Sequence, residues 1–129
     1  MNGIFMPDFS WDPNDFLDIL GVLPSEDEYG VSYRYVVDRR PLFLALTIWP
    51  FDGDVELAIR CEGVSEPVVH LNILDCPGAR VIAEKSGKYI EFAAANLFAG
   101  RYDNARPAPY GFRLRIEPGL QVTTFSYDI

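Results

Sequence analysis

Alternation of apolar and polar residues at every second position constrains this chain more than any other feature of its sequence. The segment 54–61 shows it clearly, because Val55, Leu57 and Ile59 alternate with charged or small residues. Successive side chains of a β-strand point to opposite faces, so a period of two is typical of a strand with one buried face. Seven other segments are also predicted to be strands, and turn-forming residues separate most of them. These segments are 29–38, 42–49, 67–74, 80–85, 89–93, 111–117 and 120–127.

The segment 42–49 is the most apolar of the eight predicted strands. Leu44 and Leu46 would lie on one face, and Phe43 and Ala45 on the other. Apolar residues on both faces favour a central strand that is covered on both sides. Eight short strands therefore predict a mainly β fold, either an antiparallel β-sandwich or a barrel-like roll. The length of 129 residues predicts a single domain over the range 1–129.

One short helix is predicted near the N-terminus, over residues 13–20. Asp12 is a suitable N-cap, Pro13 suits the first helical turn, and Gly21 suits the position after the last turn. The following segment, 24–28, is predicted to be an acidic loop. The apolar residues of the helix are expected to dock on a sheet, and they are Phe16, Leu17, Ile19 and Leu20.

The charge of the chain is strongly acidic, with 11 basic and 19 acidic residues and a net charge of −8. This sign opposes binding to nucleic acid and to anionic membranes, and it favours a basic protein partner through electrostatic steering. Solubility alone also explains such a charge. The acidity is concentrated in the N-terminal third, where no Lys or Arg precedes Arg34. The candidate partner-binding residues of this region are Asp15, Asp18, Glu26, Asp27 and Glu28.

The segment 94–110 does not follow the alternation and contains one glycine and two prolines. Long loops in compact domains are uncommon and often functional, although a merely packed or disordered connection is an equally good interpretation. The loop is rich in arginine and tyrosine, which are enriched at binding hot spots. Its candidate contact residues are Arg101, Tyr102, Arg106 and Tyr110.

The only histidine, His70, is out of phase with the apolar residues of its predicted strand, so it is expected on the more polar face with Asn72. A lone imidazole can act as a general base, but no nucleophile stands beside it in a recognisable motif. An exposed or hydrogen-bonded strand histidine is therefore the favoured interpretation. No residue is predicted to be catalytic.

The two cysteines, Cys61 and Cys76, are predicted to be free and buried, although a bridge between them is possible if their strands are neighbours. The chain has no paired Cys or His spacing for zinc and no complete calcium loop or phosphate-binding glycine motif. Neither a metal site nor a cofactor is predicted.

Nothing in the sequence resembles a targeting or membrane-spanning segment. The first residues lack a basic start and an apolar run, and no stretch approaches the length of a membrane span. The cytoplasm is therefore the expected compartment.

The order of several segments resembles small β-rich immunity proteins of bacterial polymorphic-toxin systems. The resemblance spans most of the chain, and it implies a cytosolic inhibitor that binds a cognate toxin and catalyses no reaction. The residues that carry it are Trp11-Asp12-Pro13 with Phe16-Leu17, the strand 42–48, Val55-Glu56-Leu57 leading into Glu62-Gly63-Val64, and Tyr89-Ile90-Glu91-Phe92.

Three functional hypotheses follow from these observations. The first is a non-enzymatic protein-binding domain of the immunity type. The second is a β-sandwich that binds a small ligand or carbohydrate through aromatic stacking, with Trp49, Phe51, Tyr102 or Tyr110 as platforms. The third is a hydrolase that uses His70 together with an acidic partner.

Overall fold

A computed structural model describes residues 9–94 and 110–126. Within these ranges the chain forms one helix, α1 (Pro13–Leu20), and nine strands in two antiparallel sheets. The mainly β prediction is therefore confirmed. The strands are β1 (Ser25–Glu26), β2 (Tyr33–Arg39), β3 (Leu42–Trp49), β4 (Asp54–Cys61), β5 (Val69–Ile73), β6 (Ala79–Glu84), β7 (Gly87–Ala93), β8 (Tyr110–Arg115) and β9 (Gln121–Ser126).

Each sheet is a meander in which consecutive strands are neighbours. The first sheet has the order β1-β2-β3-β4-β5, and the second has the order β6-β7-β8-β9. The strand β3 lies at the centre of the first sheet, as predicted, with Leu44 opposite Val37 on one side and Ile59 on the other. Its predicted cover on both faces is only partial, because Phe43 and Ala45 are half-buried. No pairing among the described strands joins the two sheets into a closed barrel, so the sandwich prediction is correct and the barrel-like roll is wrong.

The core lies between the two sheets and follows the predicted alternation. In the first sheet it is formed by every second residue of β2, β3 and β4, and in the second sheet by alternate residues of β7 and β8. The outer face of the first sheet carries the charged and polar residues of the same strands together with apolar residues such as Val36, Phe43 and Ala45. Fully or almost fully buried core residues include Tyr35, Leu44, Leu46, Ile48, Val55, Leu57, Ile90, Phe92, Phe112 and Leu114.

The helix α1 has the predicted bounds because local signals fix both of its ends. The Asp12 carboxylate accepts a hydrogen bond from the Asn14 amide at 2.9 Å. Gly21 adopts a left-handed conformation that other residues rarely adopt, and its N–H donates to the Leu17 carbonyl. Phe16 packs against Tyr35 of the first sheet and against a phenylalanine of the second, so the helix bridges the two sheets.

Two predictions around residues 24–38 are wrong. The predicted strand 29–38 begins only at Tyr33, because the Asp27 carboxylate accepts hydrogen bonds from the amides of Val31 and Ser32 and holds a turn there. The predicted acidic loop 24–28 contains the two-residue strand β1, which raises the number of strands from eight to nine. A strand of two residues is too short to show a period in sequence.

The remaining predicted strands are correct within a few residues at their ends, and 42–49 and 54–61 match β3 and β4 without change. Both cysteines are free, as predicted, but only Cys76 is buried, whereas Cys61 is half-buried at the end of β4. Burial raises the pKa of the Cys76 thiol to about 12. This thiol donates a hydrogen bond to the Ala93 carbonyl at 2.8 Å. The bond links β7 to the segment between β5 and β6, where the chain passes from the first sheet to the second.

Candidate partner-binding surfaces

The two acidic residues predicted on the helix, Asp15 and Asp18, both lie on its exposed side. The Asp18 carboxylate accepts a hydrogen bond from the Lys88 ammonium group at 3.2 Å, which connects α1 to the start of β7. Exposed pairs of this kind contribute little to stability. Asp15 has no ion pair within the described residues, so its charge remains available on the surface.

The three acidic residues after the helix have different surroundings. Glu26 lies on the edge strand β1 opposite Tyr33, and Glu28 is exposed. The Asp27 carboxylate is engaged in the turn described above, so its role is structural. Glu26 and Asp27 border a shallow depression of about 230 Å³ on the outer face of the first sheet, which Trp49 and Glu56 also line.

Of the predicted loop residues, Arg101, Tyr102 and Arg106 lie outside the described residues. Tyr110 is exposed at the start of β8, where it is opposite Ser126 in the second sheet. The predicted acidic residues lie on α1 and beside the first sheet, and no described contact joins them to Tyr110. The placement of these residues therefore gives two separate candidate surfaces.

An apolar groove that sequence reasoning missed lies beside the helix, with a volume of about 370 Å³. It is formed by α1 and the segment after it, the start of β2, and the turn between β3 and β4. Leu23 and Phe51 are strongly exposed at its rim, with 76% and 64% of their surfaces accessible. Leu17 is also exposed here, so its predicted docking on a sheet is wrong. The residues that line this apolar groove are Trp11, Pro13, Asn14, Leu17, Leu23, Pro24, Tyr33, Tyr35, Pro50 and Phe51.

Aromatic side chains build the inner wall of the apolar groove. The Trp11 ring meets Phe16 edge-on at a centroid distance of 4.9 Å and lies 5.6 Å from the Tyr33 ring. Tyr35 is buried, and its hydroxyl has no hydrogen-bond partner within the described residues. Burial, with a smaller contribution from Tyr33, raises the pKa of the Tyr35 hydroxyl to about 12. The lining of the groove therefore includes one residue whose buried hydroxyl is unsatisfied within the described residues.

The electrostatic surroundings of the apolar groove are acidic. None of its lining residues is charged, while the acidic residues Asp15, Glu26 and Asp52 and the basic residue Arg34 lie one or two residues from lining positions along the chain. Apolar residues at turn positions, such as Leu23 and Phe51, were the one sequence signal that could have indicated this groove. The signal is weak, because only the fold brings the helix, β2 and the β3–β4 turn together.

The outer face of the second sheet carries a buried charge that alternation did not predict. The Glu91 side chain is fully buried, with the Arg80 guanidinium 3.0 Å away and the Arg113 guanidinium 3.6 Å away. These residues are directly opposite one another on β6, β7 and β8. A buried carboxylate is expected to be paired in this way, so this row is a structural ion network across three strands.

His70 lies on the exposed face of the first sheet with Asn72, as predicted. Its Nε2 atom is 2.9 Å from a carboxylate oxygen of Glu56. Within residues 9–94 and 110–126, this is the only side-chain hydrogen bond of His70, and it involves no serine, threonine or cysteine. The arrangement is a surface pair between neighbouring strands.

The aromatic residues proposed as stacking platforms do not come together. Trp49 borders the depression on the outer face of the first sheet, Phe51 lies at the apolar groove, and Tyr110 lies on the second sheet. Tyr102 lies outside the described residues. Within the described part of the chain, the residues predicted as platforms therefore form no shared stacking surface.

Two further searches of the described ranges gave negative results. They contain no group of three or more His, Cys, Asp or Glu side chains that could hold a metal ion. No helix within them is long and apolar enough to cross a membrane.

The fold and its surfaces define an antiparallel β-sandwich with acidic and apolar surface features. No protein-family model matches the sequence, and no curated protein matches it. Among solved structures, the chain is similar to one chain of the contact-dependent growth inhibition toxin–immunity protein complex from Klebsiella pneumoniae 342. The TM-score is 0.72 at 14% sequence identity, and the match covers 94% of this chain and 98% of the other. The two chains therefore share a fold, which agrees with the resemblance found in the sequence.

Proposed function

We propose that this chain is a non-enzymatic immunity-type inhibitor that binds and neutralises a bacterial toxin in the cytoplasm. The observation that carries this proposal is the fold shared with a chain of a toxin–immunity protein complex over nearly the full length of both chains. Because the match covers both sheets, it does not depend on one common motif such as a hairpin.

The charge distribution supports a basic toxin surface as the partner. The net charge of −8 is accompanied by exposed acidic residues that lack ion-pair partners within the described residues, namely Asp15, Glu26 and Glu28. Complementary charges accelerate association and select against wrong partners. Asp18 and Asp27 contribute less in this proposal, because Lys88 and the turn amides already engage their carboxylates.

A second contact surface is proposed for the loop 94–110, with Arg101, Tyr102, Arg106 and Tyr110 as its contact residues. Arginine and tyrosine are enriched at hot spots because they combine a large contact area with hydrogen-bonding groups. Tyr110 is the one member of this set within the described residues, and it is exposed.

Growth protection tests the proposed function. The gene immediately upstream of this chain is the first place to look for the candidate toxin, and a toxin domain found there is expressed in a bacterial host with and without this chain. We expect growth arrest without the chain, normal growth with it, and a complex of the two purified proteins. Growth arrest in both cultures, with no complex, would refute the inhibitor proposal.

A charge-matched pair of variants tests the acidic surface. Glu26→Lys with Glu28→Lys should weaken toxin binding by about tenfold or more, because it replaces attraction with repulsion at the contact. Glu62→Lys with Glu66→Lys changes the net charge equally at exposed sites between β4 and β5 and should leave affinity nearly unchanged. Equal losses in both variants would show that net charge alone, and not this surface, determines binding.

A further inference from the structure

We infer that the apolar groove receives an apolar anchor side chain from a basic segment of the toxin. This inference rests on the proposed function and names the site within it. The lining residues of the groove include none of the contact residues predicted from the sequence.

The exposure of large apolar side chains is the first argument. Leu17, Leu23 and Phe51 border a single groove, although an isolated exposed leucine would need no explanation. The aromatic wall behind them gives a concave and largely apolar surface of a size that suits one side chain of a partner. Pockets of this kind hold the residues that dominate binding free energy at interfaces.

The buried hydroxyl of Tyr35 is the second argument. A buried polar group without a partner is unfavourable, and most such groups in proteins are satisfied. Tyr35 is one of the residues that line the groove, although its side chain is almost fully buried. Within the described residues its hydroxyl is unsatisfied, and a partner group that reached it would remove this cost.

Charge complementarity identifies the occupant. Asp15, Glu26 and Asp52 lie close in the chain to lining residues, whereas Arg34, between Tyr33 and Tyr35, is the one basic residue that does so, and it borders the depression on the outer face of the first sheet. Basic residues that flank the anchor would face these carboxylates. A second copy of this chain is a poor occupant, because a symmetric contact would bring two acidic rims and two net charges of −8 together.

Matched truncations test the groove. Leu23→Ala with Phe51→Ala removes both exposed rim side chains, and Val68→Ala with Leu74→Ala is the control. The control residues are comparably exposed, at 52% and 65%, but they lie at the ends of β5 and do not line the groove. With the toxin domain that this chain neutralises as the probe, we expect the groove variant to bind about tenfold more weakly or worse and the control to bind like the wild type.

Kinetics separate the apolar anchor from the acidic rim. The groove variant should dissociate faster, with an unchanged dependence of the association rate on salt, whereas the variant at Glu26 and Glu28 should associate more slowly and depend less on salt. Thermal unfolding of each variant confirms that it is folded. A groove variant that binds as tightly as the wild type would overturn this inference and leave the inhibitor proposal intact. A wild-type chain that binds no toxin would refute the inhibitor proposal itself.

Intrinsic fluorescence gives a second readout. The chain has two tryptophans, so Trp49→Phe leaves Trp11, which lines the groove, as the only one. Trp11 is half-buried in the free chain, and an anchor that displaces water from it should shift its emission to shorter wavelength. Binding of the toxin domain without any change in Trp11 emission would contradict occupation of the groove.

Discussion

The substitution Tyr35→Phe should stabilise the protein, although it removes a polar group from a well-packed core residue. The Tyr35 ring packs against Phe16 at a centroid distance of 5.7 Å and against Trp11 at 6.5 Å, and phenylalanine preserves both contacts. The hydroxyl has no hydrogen-bond partner within the described residues. A buried, unsatisfied polar group costs about 1–3 kcal/mol. We expect the free energy of unfolding to rise by about 1 kcal/mol at neutral pH.

The same substitution at Tyr89 is the matched control and should have the opposite sign. Tyr89 is also buried, but its hydroxyl lies 2.7 Å from the Ser86 hydroxyl and accepts a hydrogen bond from Arg115 at 3.4 Å. Tyr89→Phe removes these interactions and leaves their partners less satisfied. We expect the free energy of unfolding to fall by about 1 kcal/mol.

Alkaline pH should enlarge the difference between Tyr35→Phe and the wild type. Burial raises the pKa of Tyr35 to about 12, whereas a tyrosine in the unfolded chain titrates near 10. The folded state therefore retains this proton longer than the unfolded state. The free energy of unfolding of the wild type therefore keeps its full value below about pH 10 and falls as the pH rises towards 12, by roughly 2–3 kcal/mol in all. Tyr35→Phe has no hydroxyl to ionise at this position, so this loss does not occur in the variant.

Urea unfolding followed by tryptophan fluorescence measures all three proteins, at pH 7.5 and at steps from pH 9.5 to 11. The expected order of stability at pH 7.5 is Tyr35→Phe, wild type, Tyr89→Phe. The slope of the free energy against urea should be unchanged, because no substitution alters the surface exposed on unfolding. A loss of stability in Tyr35→Phe equal to that in Tyr89→Phe would show that the Tyr35 hydroxyl is satisfied and refute the reasoning.

Two further predictions concern the backbone and the ion pairs. Gly111→Ala should lower stability by about 3 kcal/mol or more, because its Cβ atom would lie 1.9 Å from a backbone oxygen of β7; Gly119→Ala, with no atom within 4 Å, should change thermal unfolding little. The Arg39 guanidinium holds the pKa of the Glu117 carboxyl below its usual value, so carboxyl NMR titration should find it raised in Arg39→Gln. The stabilisation from this pair is present above the pKa that Glu117 has in the unfolded chain. It is lost as the pH falls through the lower pKa that Glu117 has in the folded protein. An unchanged Glu117 titration would contradict the pairing.

The parts of the fold that the sequence predicts well are those that local chemistry determines. The bounds of α1 follow from local residues. Asp12 caps the N-terminus, Pro13 occupies the first turn, and Gly21 ends the helix in a left-handed conformation. The strands β3 and β4 follow from their own alternation. By contrast, β1 exists only because Glu26 pairs with Tyr33, and such a pairing leaves no period in a segment of two residues.

The candidate site was only partly predictable, because charge is visible in a sequence and shape is not. The acidic N-terminal third was recognised, but the structure divides it, since Asp18 and Asp27 have internal partners while Asp15 and Glu28 do not. The apolar groove depends on proximity between α1, the start of β2 and the β3–β4 turn. The sequence predicts that Leu17 docks on a sheet, because it lies next to Phe16 among the apolar residues of the helix. Only the packed structure shows that Leu17 faces outward.

The low identity to the matched chain indicates where specificity must lie. Two chains with 14% identity keep the same sandwich because alternation, turn residues and a packed interior can be supplied by many side chains. The core can therefore change greatly without changing the fold. An apolar groove with an acidic rim is not required by the fold, since exposed leucine and phenylalanine do not stabilise the sandwich by burial. Such residues are free to differ between chains that share the fold, and for this reason a partner of the matched Klebsiella pneumoniae chain cannot replace the partner proposed for this chain in the binding experiments.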